Sequence, residues 1–420
     1  MKFAIPKGCN DILPTEVGAW QAIEELIRAL CHTYAYMEIR TPTFEHTELF
    51  LRSSGETSDI VSKEMYTFED KGHRSLTLRP EGTAPVIRSY VENGLHHSPY
   101  QKFFYIGPYF RYDRPQAGRC REFHQFGIEH IGRDDPEADF EAIDLLFSFY
   151  QRLGLSHLTL LLNSVGDEKT RTHYKELLKN YLKPHFDALS SESQSRFEKN
   201  PLRILDTKNK EERLLLKEAP SILDCLSDES LLHFEQLQKL LTKRNIPFTI
   251  DPSLVRGLDY YNRTVFEITS TSLGAQNTLG AGGRYNGLIA ACGGPDLPAV
   301  GFGTGLERIL LTLKAQNLLP KTTKGLSLFI IPLGDAAQEA SFNLLFALRK
   351  LHLAAEIYAR GKKLQKGLQL ADELEAEFVI VLGETELASG EIDLKHMKTR
   401  TQEKVRLDPC TIAEHIRAKI

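Results

Sequence analysis

Phe110-Arg111-Tyr112-Asp113-Arg114-Pro115-Gln116-Ala117-Gly118-Arg119-Cys120-Arg121-Glu122-Phe123-His124-Gln125-Phe126-Gly127-Ile128-Glu129 is the stretch that decides the fold. Phe103–Phe110 and Phe123–Ile131 are strand-like runs, and the polar segment Arg111–Glu122 joins them, so the natural arrangement is a long antiparallel hairpin. Its loop carries Arg111, Arg114, Arg119 and Arg121. Arginine grips phosphate oxygens through a planar two-toothed fork and also stacks on a nucleotide base. A solvated charged tip would explain the arginines alone. Phe123, Gln125 and Glu129 at strand positions point further, because a core strand rarely carries such polar groups unless something satisfies them. The faces taken by Phe123, Gln125, Ile128 and Glu129 stay open, since one bulge would exchange them.

Upstream, Thr15–Tyr34 spaces Val17, Trp20, Ile23, Leu26, Ile27 and Leu30 as a helix, with Pro14 before it and Glu16 in its first turn. Tyr36–Thr41 reads as a strand closed by Pro42, Leu76–Arg79 as a short strand, and Gly82–Tyr90 as a helix. Glu81 therefore sits at a strand-to-helix junction, where it either caps the helix or captures a substrate ammonium. Downstream, Glu137–Leu153 is an amphipathic helix, and from about 166 to 245 glycine nearly vanishes, which predicts an inserted helical subdomain. Strand-like, glycine-rich sequence returns over Phe248–Gly305. There Arg256-Gly257-Leu258-Asp259-Tyr260-Tyr261 precedes a strand at Thr264–Ile268. Gly280-Ala281-Gly282-Gly283-Arg284-Tyr285-Asn286-Gly287 follows, and fits neither a P-loop nor a dinucleotide fingerprint. Gly301-Phe302-Gly303-Thr304-Gly305-Leu306-Glu307-Arg308 is a strand running into a helix that bears an arginine.

A linker, Lys321-Thr322-Thr323-Lys324-Gly325, divides a first domain, 1–324, from a second, 325–420. In the second, strands at Leu326–Pro332, Ala355–Tyr358 and Phe378–Leu382 alternate with helices at Ala336–Leu351 and Lys362–Leu374, predicting a compact α/β domain. Over 420 residues the formal charge is −4, so nucleic-acid binding has to rest on local clusters of cations. Six scattered cysteines without metal-ligand spacing fit free thiols in a reducing compartment. The apolar runs are too short to span a bilayer, and a cytoplasmic protein with no protein-bound metal is the expectation.

In order, the helix and strand ending at Pro42, the run Phe110–Glu129, and Gly301–Arg308 resemble the three signature motifs of class II aminoacyl-tRNA synthetases. Leu254–Tyr261 and Gly282–Gly287 resemble the two peptides peculiar to the histidyl-tRNA synthetase family, and Pro6–Asp11 and Leu78–Thr83 are similar to it as well. His130-Ile131-Gly132-Arg133 echoes a class I signature, but it lies at a strand end and no KMSKS partner follows. Two small departures are Glu122, where a neutral polar residue is common, and Asn286, where aspartate is common.

The resemblance implies an α+β catalytic domain, an antiparallel sheet flanked by helices with a helical insertion, and a C-terminal α/β anticodon-binding domain. It implies a homodimer that joins L-histidine to tRNA(His) through a histidyl-adenylate, with ATP entering as its Mg2+ complex. Arg111 would contact the α-phosphate, and Arg256 would bridge that phosphate and the histidine carboxylate. Arg121 and Arg308 would hold the outer phosphates or stack on adenine, with Phe123 as its other face. Glu81, Thr83 and Gln125 would bind the ammonium. Glu129 and Tyr261 would reach the two imidazole nitrogens, beside Tyr260, with Tyr285 closing the pocket; a carboxylate and a phenol match one donor and one acceptor. For tRNA, Arg114 and Gln116 would meet the acceptor end. Arg360, Lys362, Lys363 and Lys366, with a second cluster at Lys395, Lys398, Arg400, Lys404 and Arg406, would hold the anticodon region. Rival readings are a silent regulatory relative, a synthetase for another amino acid, and a pure tRNA-binding module.

Overall fold

A computed structural model describes residues 3–55, 58, 60–98, 100–273, 277–320, 325–358 and 363–419. The chain divides into two compact units, Met1–Pro320 and Lys321–Ile420. Residues 321–324 of the linker lie outside the described residues.

The large sheet of the first unit has eight strands, β1 (Met37–Glu38), β2 (Gln101–Phe110), β3 (Glu122–Ile131), β4 (Leu158–Ser164), β5 (Phe248–Ile250), β6 (Asn262–Ser270), β7 (Thr278–Arg284) and β8 (Ala299–Gly305), beside a small sheet of Phe44–His46, Tyr66–Glu69 and Ser75–Leu78. Their order in the sheet is β1-β2-β3-β8-β7-β6-β4-β5. The inner strands pair antiparallel, while β1 on β2 and β5 on β4 are parallel. The β2–β3 hairpin runs without a bulge from Gln101↔Ile131 to Phe110↔Glu122. That settles the faces: Phe123, Gln125 and Glu129 share one, and Phe126 and Ile128 share the other.

Helices α1 (Pro14–Thr33), α3 (Pro136–Arg152), α5 (Asp228–Lys243) and α6 (Leu306–Ala315) pack on the Phe126 and Ile128 face. Ile23, Ile27 and Leu30 of α1 are buried there, each contributing about 2 kcal/mol. Helix α2 (Thr83–Glu92) covers the other face through Val86, Ile87 and Tyr90. Between β4 and β5 every regular element is helical, beginning with α4 (Glu168–Leu182). The insertion has its own small core around Tyr174, Leu178 and Ile222, but α5 at its end puts Phe234, Leu237 and Leu241 into the main core.

The expected strand Tyr36–Thr41 shrinks to two residues. After Ile39 N donates to Phe104 O the ladder ends, because the Thr41 carbonyl accepts from the Arg79 guanidinium at 2.9 Å instead and Pro42 has no N–H. Strand β4, before the insertion, has no counterpart in the sequence expectation, whereas β5 opens the strand-like stretch Phe248–Gly305.

The second unit holds β9 (Leu328–Pro332), β10 (Ala355–Ile357), β11 (Phe378–Leu382), β12 (Glu391–His396) and β13 (Gln402–Arg406), ordered β10-β9-β11-β12-β13. The first three are parallel, and β12–β13 adds an antiparallel hairpin that the sequence expectation lacks.

Candidate active site

The hairpin loop folds back on itself. Gln116 and Arg119 exchange backbone hydrogen bonds at 3.0 and 2.9 Å, and the Arg119 guanidinium pairs with Asp113 at 2.5 Å. Arg111 donates through Nε to Pro80 O at 2.8 Å and lies over the Phe123 ring, 5.3 Å from its centre. Burial holds its pKa below the ordinary guanidinium value, against the pull of Glu64 and Glu81. On α6, Arg308 donates to Gly118 O and to Thr278 O at 3.0 and 2.7 Å, which ties the hairpin loop to β7. Arg111, Arg119, Arg256 and Arg308 line one cavity of about 190 Å3, together with Phe123 and Gln125.

Arg121 is the exception among the expected nucleotide ligands. Its guanidinium stacks on Tyr112 at 4.0 Å and donates through Nε to Asp113 O at 3.3 Å, its backbone N–H donates to Gly8 O at 2.7 Å, and Arg119 takes the place on the cavity wall. Arg121 therefore fastens the N-terminal Pro6–Asp11 segment to the loop. Alternation inside a loop has no fixed period, so nothing in the run Arg119-Cys120-Arg121 decides which arginine turns inward.

Beyond Gln125 the same face of β3 carries Glu129, fully buried. Tyr105 donates to its Oε1 at 3.1 Å and Tyr285 donates to its Oε2. Gly301 on β8 stands opposite, and a Cβ there would lie 2.3 Å from Oε2, so the glycine makes room for the carboxylate. Burial pushes the Glu129 carboxyl up to about 8, the Glu81 charge adding to it while the Tyr285, Thr83 and Tyr105 hydroxyls oppose. Glu81 is itself buried. Its two oxygens accept from Thr83 N at 2.6 Å and Ala84 N at 2.9 Å, so it caps α2, and burial raises its pKa despite those bonds and the nearby Arg111. Of the two roles foreseen for Glu81, the structure shows the cap.

Tyr260 and Tyr261 pack ring on ring at 4.6 Å, and Tyr260 meets Tyr285 edge-on at 5.6 Å. Arg256 projects from the same loop and pairs with Glu267 of β6 at 2.6 Å. Glu267 in turn accepts from the Thr278 hydroxyl. Tyr105, Arg119 and Glu267 are the site residues that sequence reasoning missed. Tyr105 stands opposite Gly127, two positions from Glu129 on one face, so the strand period would have found it once the register was known.

Behind the site, Arg284 is fully buried against Asp139 of α3, and Asp139 meets His233 Nε2 of α5 at 3.2 Å. Burial opposes the Asp139 charge, yet Arg284 and His233 hold its carboxyl well below the usual range. Asn286 explains its departure from aspartate: its amide donates to Asp134 Oδ1 at 2.7 Å and its Oδ1 accepts from Ala299 N at 3.2 Å, a pairing that aspartate cannot make with Asp134. His130 lies inside β3 with its pKa pushed down to about 3 by burial and by Lys102, Arg133 and Arg284. It is a core residue, far from a phosphate-binding turn in character.

The remaining expected residues are dispersed. Arg114 and Gln116 are exposed at the hairpin tip, and Lys363 and Lys366 are exposed in the second unit. Arg360 and Lys362 lie outside the described residues. In the second cluster Lys404 stands across from Asp393 and Arg406 across from Glu391, while Lys395 stands across from Gln402 and Lys398 and Arg400 lie at the turn. Among the described residues no cluster of three His, Cys, Asp or Glu has metal-binding geometry, and no helix is long and apolar enough to cross a membrane.

A family model for histidyl-tRNA synthetase matches residues 8–309, and one for an anticodon binding domain matches residues 327–411. The chain is 54% identical over 416 residues to a histidine--tRNA ligase of Protochlamydia amoebophila, covering 97% of this chain and 98% of that one. It is 50% identical over 424 residues to a histidine--tRNA ligase of Bacillus cytotoxicus, covering all of both chains. Among solved structures, the apo histidyl-tRNA synthetase of S. aureus matches with a TM-score of 0.84 at 39% identity, over 99% of this chain and 100% of that one.

Proposed function

The chain belongs to the histidyl-tRNA synthetase family, and from that premise we propose how its residues divide the reaction. It ligates L-histidine to tRNA(His) with ATP, by way of a histidyl-adenylate, and supplies histidyl-tRNA to protein synthesis. The observation that supports the site reading is one cavity lined by four arginines and by Gln125, which lies four positions along the strand face from the buried Glu129.

The histidine carboxylate attacks the α-phosphate in line, so the residues have to align two anions and stabilise spreading charge. Arg111, desolvated and held by Pro80 O, contacts the α-phosphate. Arg256, pinned by Glu267, bridges that phosphate and the carboxylate. Arg308 and Arg119 meet the outer phosphates, and Phe123 with Arg111 offers a surface on which adenine stacks. Magnesium arrives with ATP as part of the substrate. Glu81, Thr83 and Gln125 hold the ammonium, while Glu129 and Tyr261 satisfy the two imidazole nitrogens and Tyr285 orients Glu129. Buried partners left unsatisfied by an analogue without those nitrogens give the discrimination.

The 1–324 domain performs activation and transfer, with Arg114 and Gln116 at the acceptor end. The 325–420 domain reads the anticodon region, with Lys363, Lys366, Lys398 and Arg400 holding phosphates. Strand β1 lies at the open edge of the large sheet with Met37 exposed, which supports a homodimer formed on that edge. Six free cysteines support a cytoplasmic setting. Histidine-dependent exchange of label between diphosphate and ATP tests the reading. Folded protein without such exchange overturns it. Arg256→Ala is expected to lower the exchange rate roughly a hundredfold, and a loss under about threefold removes Arg256 from the assigned role.

A further inference from the structure

The loop that carries Arg256, Tyr260 and Tyr261 has no regular structure between the end of β5 at Ile250 and the start of β6 at Asn262. A segment of that length cannot hold a guanidinium in a reacting geometry by its own ladder bonds. Fixing each residue costs about 1–2 kcal/mol, so its order has to be supplied from outside. The supply is visible. Arg171, on α4 of the insertion, donates through one guanidinium nitrogen to Tyr261 O at 2.8 Å and to Asp259 O at 3.3 Å. Asn200, also in the insertion, donates to the Asp259 carboxylate at 2.9 Å. Asp259 N reaches Ser54 O at 3.4 Å, and a Cβ on Gly55 would lie 2.5 Å from the Asp259 carboxylate, so this aspartate is packed where three chain segments meet.

We propose that Arg171 and Asn200 are positioning residues for histidine activation: the inserted helices set the Arg256–Tyr261 loop through Asp259 and the Tyr261 carbonyl. The Arg171 bonds fall on the Asp259 and Tyr261 carbonyls, three and five positions from Arg256, and the Asn200 bond falls on the Asp259 side chain, so the contacts bracket Tyr260 and Tyr261. Glu168, one turn earlier on α4, pairs with Arg171 and aims its fork. The insertion is therefore a structural member of the activation site, and a displacement of α4 moves Arg256 and Tyr261 with it. Placement errors near an ångström lower catalysis by as much as about a hundredfold, so the effect is large enough to measure.

The inference rests on the reading of Arg256 and Tyr261 given above, and the test separates the two. Wild-type protein is assayed first for histidine-dependent exchange, and an inactive wild type condemns the reading itself. With an active wild type, Arg171→Met, which removes the donors and keeps the length, is compared with Arg171→Lys and with Asn200→Ala. Arg171→Met is expected to lower kcat about tenfold or more and to raise KM for histidine, with KM for ATP within about twofold. Arg171→Lys recovers part of the loss, because an ammonium still donates to both carbonyls. In an Arg256→Ala background the Arg171→Met loss in kcat shrinks to about threefold or less, since the route through Arg256 is already gone. Wild-type kinetics in both Arg171→Met and Asn200→Ala overturn the proposal. So does a full, additive loss in the Arg256→Ala background. If Arg171→Met does not fold, Asn200→Ala carries the test alone, with wild-type kinetics again the overturning result.

Discussion

Replacing Glu129 by glutamine should change the pH dependence of stability in a direction and amount that the site dictates. The carboxyl is fully buried and its pKa stands at about 8, against 4.5 for the ordinary side chain. A folded-state pKa above the unfolded one means that, between those values, the folded protein keeps a proton that the unfolded chain has released. Stability therefore falls as pH rises through that window and levels off above about 8. The separation of about 3.5 units corresponds to about 5 kcal/mol at 1.36 kcal/mol per unit, a ceiling shared with Glu81, whose own titration is coupled to it. Glu129→Gln cannot ionise, and its pH-independent effect cancels when wild type and variant are compared across pH. Trp20 is the chain's single tryptophan and packs against the core of the first unit, so its fluorescence follows that unit alone. Denaturant unfolding without ligands, from about pH 5 to about pH 9, should shift the stability difference toward the variant by several kcal/mol, most steeply between about pH 5.5 and 7. Curves that stay parallel within about 0.5 kcal/mol would show that burial places no penalty on the Glu129 charge.

Glu267→Gln should lower kcat for exchange about tenfold, because the carboxylate fixes the Arg256 guanidinium. A faster variant would show that the pair restrains Arg256 instead. Asp139→Asn leaves the buried Arg284 charge facing a neutral amide, and should cost about 3 kcal/mol in the Trp20-reported unfolding of the first unit. A cost below about 1 kcal/mol would mean that the Arg133 and Asp135 carbonyls, which also accept from Arg284, suffice.

What the sequence made legible follows from what alternates. The β2–β3 hairpin is readable because two apolar runs flank a polar loop, and α1 is readable because Ile23, Ile27 and Leu30 recur at helical spacing. The face assignment of Glu129 was not readable, since it depends on an unbroken register that only the partner strand reveals. Arg119 and Arg121 are chemically identical and differ only in the turn closed by Gln116. Tyr105 and Glu267 look like ordinary strand residues until the groups they hold are placed. Strands β4 and β5 are short and lie on either side of a helical segment of some eighty residues, so nothing local announces that they pair. In the second unit the alternation Ile392, Leu394 against Glu391, Asp393 and Lys395 does carry the β12 strand. Of the cations in this hairpin, Lys404 and Arg406 stand across from acids, which only the register reveals.

The electrostatics of the proposed pocket also bear on why an enzyme would keep two carboxylates in so buried a place. Burial raises the pKa of both Glu81 and Glu129, and the Glu81 charge raises Glu129 further, so the pair resists carrying two charges. In the proposed pocket an ammonium beside Glu81 would supply a positive charge, and an imidazole N–H beside Glu129 would add a donor to those of Tyr105 and Tyr285. Each half of the substrate therefore relieves a penalty that its absence leaves standing. An amino acid with the ammonium alone relieves one carboxylate and leaves the other buried among the Tyr105 and Tyr285 hydroxyls. A missing polar partner of that kind is worth a factor of about ten thousand in discrimination, whereas a missing methylene is worth about a hundred at most. Selectivity of this origin comes from what the empty pocket lacks, and it needs no separate hydrolytic site to correct errors.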